Sequence, residues 1–313
     1  MAENDNGGVP ELRFDRSFVA APRELVVVTA NVRRMVADNP GPMTFTGTCT
    51  YVVGHGEVAI IDPGPDLADH RAALLQAARN ETVRFILVTH SHGDHCASAA
   101  ALKQATGGQI IGCAPAPELI AIAGEDGVAD SAHDLSYAPD AVLSDGERVT
   151  LRGLTLEAVA TPGHTGNHLS FALLEEASLF TGDHVMGWST SVVIPPDGAM
   201  ADYRRSLEKL LFRDETLYWP GHGGPVRDPK PYVAALIQHR AEREAAILAA
   251  LKSRSVTVKE IVARVYGPLS APIEEAAQNS VLAHLLDLAE HGLIRVEAAG
   301  PPDHSDVTLW RLI

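Results

Sequence analysis

The densest group of chemically useful side chains lies in residues 85–95, which read FILVTHSHGDH. After a strand-like apolar run, this segment carries His90, His92, Asp94 and His95. Histidines two residues apart in an extended loop point the same way, and imidazoles and carboxylates are common metal ligands. An HxHxDH string arises by chance in only about a few per thousand chains of this composition, so we predict a metal site. Gly93 is expected to provide the tight turn that makes the side chains converge.

Three further donors each lie in a glycine-bounded turn after a strand-like run. They are His164 in TPGHTGNH, Asp183 in FTGDH and His222 in YWPGHGG. Each alone would more often be an ordinary turn residue than a ligand. Their occurrence together with the HxHxDH string reverses that preference, because α/β proteins place their ligand sites in loops at strand ends.

Taken in order, these motifs resemble those of the metallo-β-lactamase superfamily. The matching residues are Asp62 in IIDPG, the THSHGDH string, His164, Asp183 and His222, and the resemblance covers residues 26–226. It implies an α/β fold, an αββα sandwich with a metal site at one edge of its two sheets. It also implies that one metal is held by His90, His92 and His164, a second by Asp94, His95 and His222, and that Asp183 bridges the two. Asp62 would order the metal loop without binding metal.

The resemblance implies two divalent metal ions, which would ionise a shared water near neutral pH and stabilise negative charge on the attacked group. Asp94 and Asp183 would be the catalytic carboxylates, and Asp94 would also orient the hydroxide. Zinc is our first choice, although nitrogen and oxygen donors also suit manganese and iron. Members of the superfamily that have a cysteine at the position of Asp183 resemble the true β-lactamases. The aspartate in this chain therefore disfavours antibiotic hydrolysis. Cys96 is expected to pack beneath the metal loop and not to react.

The favoured activity follows from resemblance to glyoxalase II and lactonase relatives: a metal-bridging hydroxide would hydrolyse a small ester, thioester or lactone. With its C-terminal segment included, the chain is also similar to the lactamase-beta-like protein 2 subgroup, which includes an endoribonuclease of single-stranded RNA. RNA hydrolysis is therefore the alternative activity. A second alternative is a sulfur dioxygenase with one iron held by His90, His92 and His164. A non-catalytic regulator is disfavoured because the ligand set is complete.

Four more polar side chains near these motifs have two interpretations each. His168 and His184 could donate a proton to a leaving group, or could be structural. Ser189 and Thr190 lie in the segment WSTSVVIPPD. They could bind a carboxylate or phosphate of the substrate, or the segment could merely connect two elements.

The elements that must position these motifs are short strands with few helices between them. We predict strands over residues 25–30, 48–53, 58–62, 85–89, 109–112, 154–160, 168–174, 179–182 and 216–219, and helices over residues 67–79, 97–106 and 202–211. Several hairpin-like pairs lie close together in the sequence. This favours two mixed sheets covered by helices over a doubly wound parallel sheet.

The sequence divides into three parts. Residues 1–24 are predicted to be an N-terminal arm, 25–230 the catalytic domain, and 231–313 a small winged-helix-like domain. The last part is predicted to have helices over residues 232–251, 258–265 and 279–291, then strands over 293–297 and 307–312 joined by a Gly-Pro-Pro turn. Its third helix contains no Lys or Arg, which argues against sequence-specific DNA binding. A packing or dimer-forming module that closes one side of the active site is expected instead.

Composition limits the partners. Lys and Arg number 25 against 40 Asp and Glu, a net charge of −15 with histidines neutral. Such a surface repels polyanions, which disfavours RNA and, less strongly, acidic small molecules. No membrane-length apolar run and no basic leader occur, so we expect a cytoplasmic enzyme with a small-molecule substrate; a homodimer stays open. Cys49, Cys96 and Cys113 form no CxxC pair and are expected to be reduced, buried thiols.

Overall fold

A computed structural model describes residues 11–116, 132–252, 254–297 and 308–313. The strands are β1 Val26–Val27, β2 Val32–Val36, β3 Cys49–His55, β4 Glu57–Ile61, β5 Thr82–Val88, β6 Gln109–Gly112, β7 Ala141–Val142, β8 Arg148–Leu151, β9 Leu154–Ala160, β10 Leu169–Leu173, β11 Ser178–Gly182, β12 Leu217–Pro220, β13 Val226–Arg227, β14 Ile294–Val296 and β15 Trp310–Leu312. The helices are α1 Ala68–Ala77, α2 Gly93–Cys96, α3 Ala99–Thr106, α4 Met200–Leu211, α5 Pro229–Leu251, α6 Val258–Tyr266 and α7 Ala271–Glu290.

The strands form two mixed sheets and one hairpin. The first sheet has the order β1-β2-β3-β4-β5-β6-β7, and the second has the order β13-β12-β11-β10-β9-β8. In the first sheet β1 to β4 are antiparallel and β4 to β7 are parallel. In the second sheet β11 and β12 are parallel, and the other pairs are antiparallel. The predicted pair of mixed sheets is therefore confirmed.

The second sheet is buried on both faces, as strand β10 shows. Phe171 packs in the core that contains both sheets, whereas Ala172 packs in a second core with helix α4. Successive strand residues point to opposite faces, so a strand whose residues are all buried needs a partner layer on each side. Helix α3 packs on β5 and β6 of the first sheet, and α1 packs beside α3. The layers therefore run helix, sheet, sheet, helix, as predicted.

Helix α5 connects the sandwich to the C-terminal unit. Val233 and Leu236 lie in the core of α4, whereas Ile247 and Leu251 lie in a third core with α6, α7 and Trp310. The predicted boundary after residue 230 thus falls in the first turn of a continuous helix. Strands β14 and β15 pair as the predicted terminal hairpin. The predicted Gly-Pro-Pro turn and residues 1–10 of the predicted arm lie outside the described residues.

Four strands escaped prediction, and two predicted elements have different bounds. Strands β7 and β13 have only two residues, too few for any periodicity, and β8 is short and largely exposed. Strand β2 reads VRRMV, yet it is buried because Arg33 pairs with Glu81 at 2.9 Å and Arg34 stacks on Phe18. The predicted strand over 25–30 shrinks to β1. Helix α7 begins eight residues before the predicted start, since a proline is tolerated in the first turn.

Candidate metal centre

The site motifs all follow the carboxyl ends of strands. Asp62 follows β4, the His90 loop follows β5, His164 comes after β9, Asp183 follows β11 and His222 comes after β12. Within each sheet these strands run parallel to one another. In the first sheet β4 pairs in parallel with β5, and in the second sheet β11 pairs in parallel with β12. Strand β9 has the same direction as β11, because both are antiparallel to β10, which lies between them. Their ends therefore meet at one edge of the sandwich, where the motifs were predicted to lie.

The seven predicted ligands come together at this edge. Three groups each have their donor atoms within 4.8 Å of one another: His90, His92 and His164; His90, His95 and Asp183; and Asp94, His95 and His222. Asp183 lies between the first and third groups. Its Oδ2 is 3.3 Å from His222 Nε2 and 3.7 Å from His164 Nε2, and its Oδ1 is 3.4 Å from His95 Nε2. The arrangement is the one that the resemblance implies, and metal binding by these residues stays a prediction.

The donor atoms of the cluster suit divalent cations. His92 Nδ1 lies 3.2 Å from His164 Nε2, and His95 Nε2 lies 3.3 Å from His222 Nε2. His90 Nε2 and Asp183 Oδ1 are buried and make no hydrogen bond to the described residues. Buried polar atoms normally find a partner, and converging imidazole and carboxylate atoms are the donors that zinc-like ions prefer. The residues present therefore fit a metal centre.

The carboxylates of the cluster favour positive charge beside them. Burial lowers the pKa of His222, but Asp183 and Asp94 outweigh it and raise the value to about 9. Burial likewise opposes charge on His95, and the same two carboxylates raise its pKa well above the usual range. For His90, burial and then its histidine neighbours lower the pKa well below the usual range. His90 is therefore a neutral imidazole with a lone pair to donate, beside a pocket that attracts cations.

Asp62 orients the metal loop, as predicted, and does not belong to any ligand group. Its Oδ1 accepts a hydrogen bond from Thr89 N at 2.8 Å, and its Oδ2 accepts one from Thr89 Oγ1 at 2.9 Å. The same Oδ2 lies 2.9 Å from His95 Nδ1. With Nδ1 donating to Asp62, the Nε2 atom of His95 is left to face the cluster. A partner of this type fixes both the tautomer and the orientation of a metal-binding histidine.

Glycine matters at this site, although not where the sequence suggested. Gly93 begins helix α2 with a φ outside the left-handed region, so its expected special turn is absent. Gly221 is the residue that permits close approach. A Cβ at Gly221 would lie 2.5 Å from Asp183 Oδ1 and 2.6 Å from His95 Cε1. Any side chain there would push these two groups apart.

The two candidate proton donors do not line the cavity above the cluster. His168 Nδ1 lies 2.9 Å from Thr161 Oγ1, and His168 Nε2 accepts a hydrogen bond from the Asp183 amide at 3.2 Å. This histidine therefore holds the Asp183 turn. His184 packs against Tyr203 with ring centroids 4.8 Å apart, and burial lowers its pKa to about 3.

A second histidine network beside the ligands was missed by the sequence analysis. The ring of His133 lies 4.7 Å from that of His92. Its Nδ1 is 2.7 Å from Ser91 Oγ, and its Nε2 is 3.1 Å from Asp197 Oδ2. His133 therefore contacts the loop of the candidate ligands through Ser91 and His92, whereas Asp62 contacts it through Thr89 and His95. No motif marks His133, because the contact joins segments 42 and 64 positions apart.

A cavity of about 410 Å³ lies over the cluster. Five predicted ligands line it, namely His92, Asp94, His164, Asp183 and His222, together with Met43, Met186 and Ile194. Helix α7 contributes Pro272, Glu275, Ala276 and Asn279. The C-terminal unit therefore covers one side of the site, as expected from the sequence.

Two sheets between helical layers, with a histidine and aspartate cluster at the strand ends, define the metallo-β-lactamase fold. The family model of the metallo-beta-lactamase superfamily matches residues 43–222, more than half of the chain. The chain belongs to this superfamily and is a metallo-hydrolase. The model of the beta-lactamase associated winged helix domain matches residues 257–300, which confirms the predicted type of C-terminal domain.

Individual relatives extend over both units. A Beta-lactamase-like protein 2 homolog of Caenorhabditis elegans is 32% identical over 84% of this chain and 85% of its own length. An atrochrysone carboxyl ACP thioesterase of Cryptosporiopsis sp. is 31% identical over 86% of this chain and 83% of its own. The crystal structure of a Beta-lactamase domain protein from Burkholderia ambifaria shares the fold, with a TM-score of 0.77, 20% identity and coverage of 94% and 95%. Among the described helices, none has the length and apolarity that crossing a bilayer requires.

Proposed function

We propose that this chain is a dinuclear metal-dependent hydrolase that cleaves a thioester, with small esters and lactones as related substrates. The proposal rests on the position of Asp183 between two groups of imidazole and carboxylate donors. One carboxylate with an oxygen near each group is what a shared ligand of two cations requires. The name of the Cryptosporiopsis relative, a thioesterase, supports the choice of bond.

The chemistry of the site divides between bound cations and the side chains of the chain. Two divalent cations would lower the pKa of a shared water and stabilise negative charge on the attacked carbonyl oxygen. Asp94 lines the cavity, and its Oδ2 accepts a hydrogen bond from Thr48 Oγ1 at 3.1 Å, which fixes the carboxylate. This contact supports the proposed role of Asp94, which is to accept a hydrogen bond from the nucleophile. Met43, Met186 and Ile194 limit water around the substrate.

The leaving group supplies a second argument for a thioester. Neither His168 nor His184 lines the cavity, so neither is placed to protonate a departing atom. A thiol has a pKa of about 8.5, and thiolates of lower pKa leave more readily. A thioester therefore depends less on a proton donor than an ester of an ordinary alcohol does.

The test compares metal content with turnover. Protein stripped by a chelator is reloaded with zinc, manganese or iron, and its metal content is measured by elemental analysis. S-benzyl thioacetate and benzyl acetate then serve as a matched thioester and ester. We expect two cations per chain, chelator-sensitive hydrolysis, and a kcat/KM for the thioester at least about ten-fold above that of the ester.

Two results would contradict the proposal. Two bound cations without turnover of any thioester or ester would rule out this reaction class. One iron per chain, with consumption of oxygen on a persulfide substrate, would identify the sulfur dioxygenase that the sequence left open.

A further inference from the structure

A second cavity of about 540 Å³ adjoins the metal cavity. The two cavities share Met43, Met186, Val192 and Ala276 as lining residues. A substrate bound at the metal centre can therefore extend into the second space. We call this space the arginine cavity, after Arg240 in its wall.

The charge of the arginine cavity is opposite to that of the whole chain. The cations Arg16 and Arg240 are among its lining residues, together with His239 and the hydroxyl-bearing residues Ser189, Thr190, Ser191 and Ser280. Among the described residues that line it there is no Asp or Glu. In a chain of net charge −15, a cavity lined by cations and hydroxyls without a carboxylate is a local exception. Such a lining attracts anions and offers them hydrogen-bond donors.

Arg240 is a buried cation without a counter-ion. Its exposure is 2%, and no carboxylate of the described chain pairs with it within 4.0 Å. Its Nη2 donates to Ser191 O at 2.5 Å, its guanidinium lies 4.9 Å from the Tyr203 ring, and its Nε has no hydrogen-bond partner among the described residues. A buried charge is costly unless it is paired. An anion in the cavity would supply the missing partner.

Other groups of the cavity suit an anion with an apolar body. The Nε1 atom of Trp188 is buried without a hydrogen-bond partner in the described chain. The Trp188 ring stacks on Phe45 with centroids 5.0 Å apart. Tyr266 and Leu269 add apolar surface from the C-terminal unit. Burial, with the charges of Arg240 and its neighbour Arg243, lowers the pKa of His239 to about 4, so this histidine is a neutral donor or acceptor at pH 7.

Ser191 connects the two cavities. Its carbonyl oxygen accepts the hydrogen bond from Arg240, and its Oγ donates to Asp183 O at 2.5 Å. The adjacent Val192 O lies 2.6 Å from His164 Nδ1. The same short segment therefore holds a predicted metal ligand on one side and the unpaired guanidinium on the other.

We propose that the arginine cavity binds an anionic group, a carboxylate or phosphate, that is part of the substrate and is paired by Arg240. This inference rests on the proposed function and narrows it, since it makes the substrate a thioester with an acidic group away from the cleaved bond. The acidic group belongs either to the acyl part or to the thiol part of the thioester. Both carry the same chemistry into the cavity, and the kinetic test separates them.

Equilibrium binding tests the cavity without any reaction. Calorimetry with the full chain compares 4-phenylbutyrate with 4-phenyl-1-butanol, which has the same body and no charge. A hydrogen-bonded charge is worth about 1.5–3 kcal/mol, so we expect the carboxylate to bind at least about ten-fold more tightly. Arg240→Met should abolish this preference. Arg243→Met, on the same helix but outside the lining, should retain it.

Arg240 also contacts Ser191 and Tyr203, so loss of binding in Arg240→Met must be distinguished from a folding defect. Thr190→Asp provides the independent variant, because Thr190 lies in the cavity wall and outside the helices. A new carboxylate there should weaken binding of 4-phenylbutyrate about ten-fold and leave binding of the alcohol unchanged. Equal affinity of the wild type for acid and alcohol, or an acid preference that survives both Arg240→Met and Thr190→Asp, would overturn the proposal.

Kinetics then locate the acidic group. The S-benzyl thioester of succinate carries a carboxylate on the acyl part, and S-acetyl-3-mercaptopropionate carries one on the thiol part. One of the two should show a KM at least about ten-fold below that of its uncharged counterpart, with similar kcat, and Arg240→Met should raise that KM. Acid preference in binding without turnover of any thioester would overturn the proposed function alone. Turnover without an acid preference would overturn the arginine cavity alone.

Discussion

At the scale of single residues, Asp183 is the side chain on which the proposed two-cation site depends. Its two oxygens lie 3.3–3.7 Å from imidazole nitrogens of both ligand groups. His168 holds its amide, and Gly221 leaves it the room to approach His95. Among the described carboxylates, Asp183 is the one that lies within 4.0 Å of imidazoles from both groups, so we expect that its loss is not compensated.

Asp183→Ala is expected to reduce bound metal from two ions per chain to one or fewer. The kcat/KM for a thioester should fall at least about 100-fold, because no other carboxylate spans the ligand groups. Elemental analysis and steady-state kinetics measure the two effects. Asp214→Ala is the control, since this exposed aspartate pairs with Lys230, belongs to no ligand group and should leave both quantities unchanged. Wild-type turnover in Asp183→Ala would refute the shared ligand.

Cys96, in contrast, is a residue of a reactive type whose surroundings make its thiol unreactive. It is 2% exposed, and its Sγ donates to Ser91 O at 3.4 Å. Burial raises the pKa of this thiol far above its usual range, so the nucleophilic thiolate is not formed near neutral pH.

Cys96→Ala should therefore change kcat by less than about two-fold, with metal content unaltered. Cys113→Ala, at another buried thiol, gives the comparison for simple loss of packing. A large fall in kcat at normal metal content, seen for Cys96→Ala but not for Cys113→Ala, would show that the thiol takes part in the reaction.

At the scale of elements, helices α5 and α7 fasten the C-terminal unit to the sandwich. Arg204 of α4 pairs with Glu244 of α5 and with Asp287 of α7, both at 2.5 Å. His284 of α7 is fully buried beside these pairs, and its Nδ1 lies 3.9 Å from Glu244 Oε2. Burial, and then the charges of Arg240 and Arg204, lower the pKa of His284 to about 3.

This histidine should make the fold less stable in acid. An unfolded histidine has a pKa of about 6.5, so below that pH the unfolded chain binds a proton that folded His284 refuses until pH is about 3. The contribution of neutral His284 to the free energy of unfolding is complete above pH 6.5 and is lost as the pH falls towards 3. At pH 5 the loss is about 2 kcal/mol, from 1.36 kcal/mol per pH unit.

His284→Leu removes this one titration and keeps an apolar group of similar size. The free energy of unfolding should then fall by about 2 kcal/mol less between pH 7 and pH 5 than it does in the wild type. Urea unfolding at the two pH values measures the difference, and other buried histidines such as His70 are present in both proteins. Parallel pH profiles of variant and wild type would contradict the assignment.

At the scale of the whole molecule, the net charge of −15 and the positive charge of the arginine cavity predict opposite preferences for large and for small anions. The overall charge disfavours an extended polyanion, which must approach many surface groups at once. A single acidic group inside a cavity responds mainly to the side chains that line it. A small anionic substrate is therefore compatible with an acidic protein in a way that RNA is not.

Single-stranded RNA should accordingly bind with a dissociation constant weaker than about 10⁻⁴ M at physiological salt. Zinc- or manganese-loaded protein incubated with end-labelled RNA should yield no chelator-sensitive fragments, because bulk repulsion keeps the phosphodiesters from the site. The Asp183→Ala protein serves as the control for contaminating nucleases. Fragments that require both metal and Asp183 would instead establish the RNA-cleaving alternative.

The sequence by itself determined the residues of the candidate metal site and the layered fold. The spacing of His90, His92, Asp94 and His95 places these four residues in one loop. The apolar run before each motif indicates the strand that precedes the motif. These are short-range features, in which neighbours along the chain dictate which side chains share a loop and which face of an element is apolar. The third helix without Lys or Arg and the terminal hairpin of the C-terminal unit were predictable for the same reason.

The tertiary structure alone decided what lies against those residues. The support of His92 by His133, the room that Gly221 gives Asp183, and the pairing of the two-residue strand β7 with β6 exist only through contacts between distant segments. The arginine cavity is the clearest case, since Arg16, Trp188 and Arg240 come from an N-terminal segment, a loop and helix α5. Contacts at long sequence separation leave no local pattern, because each residue type there is compatible with many surroundings until the chain has folded.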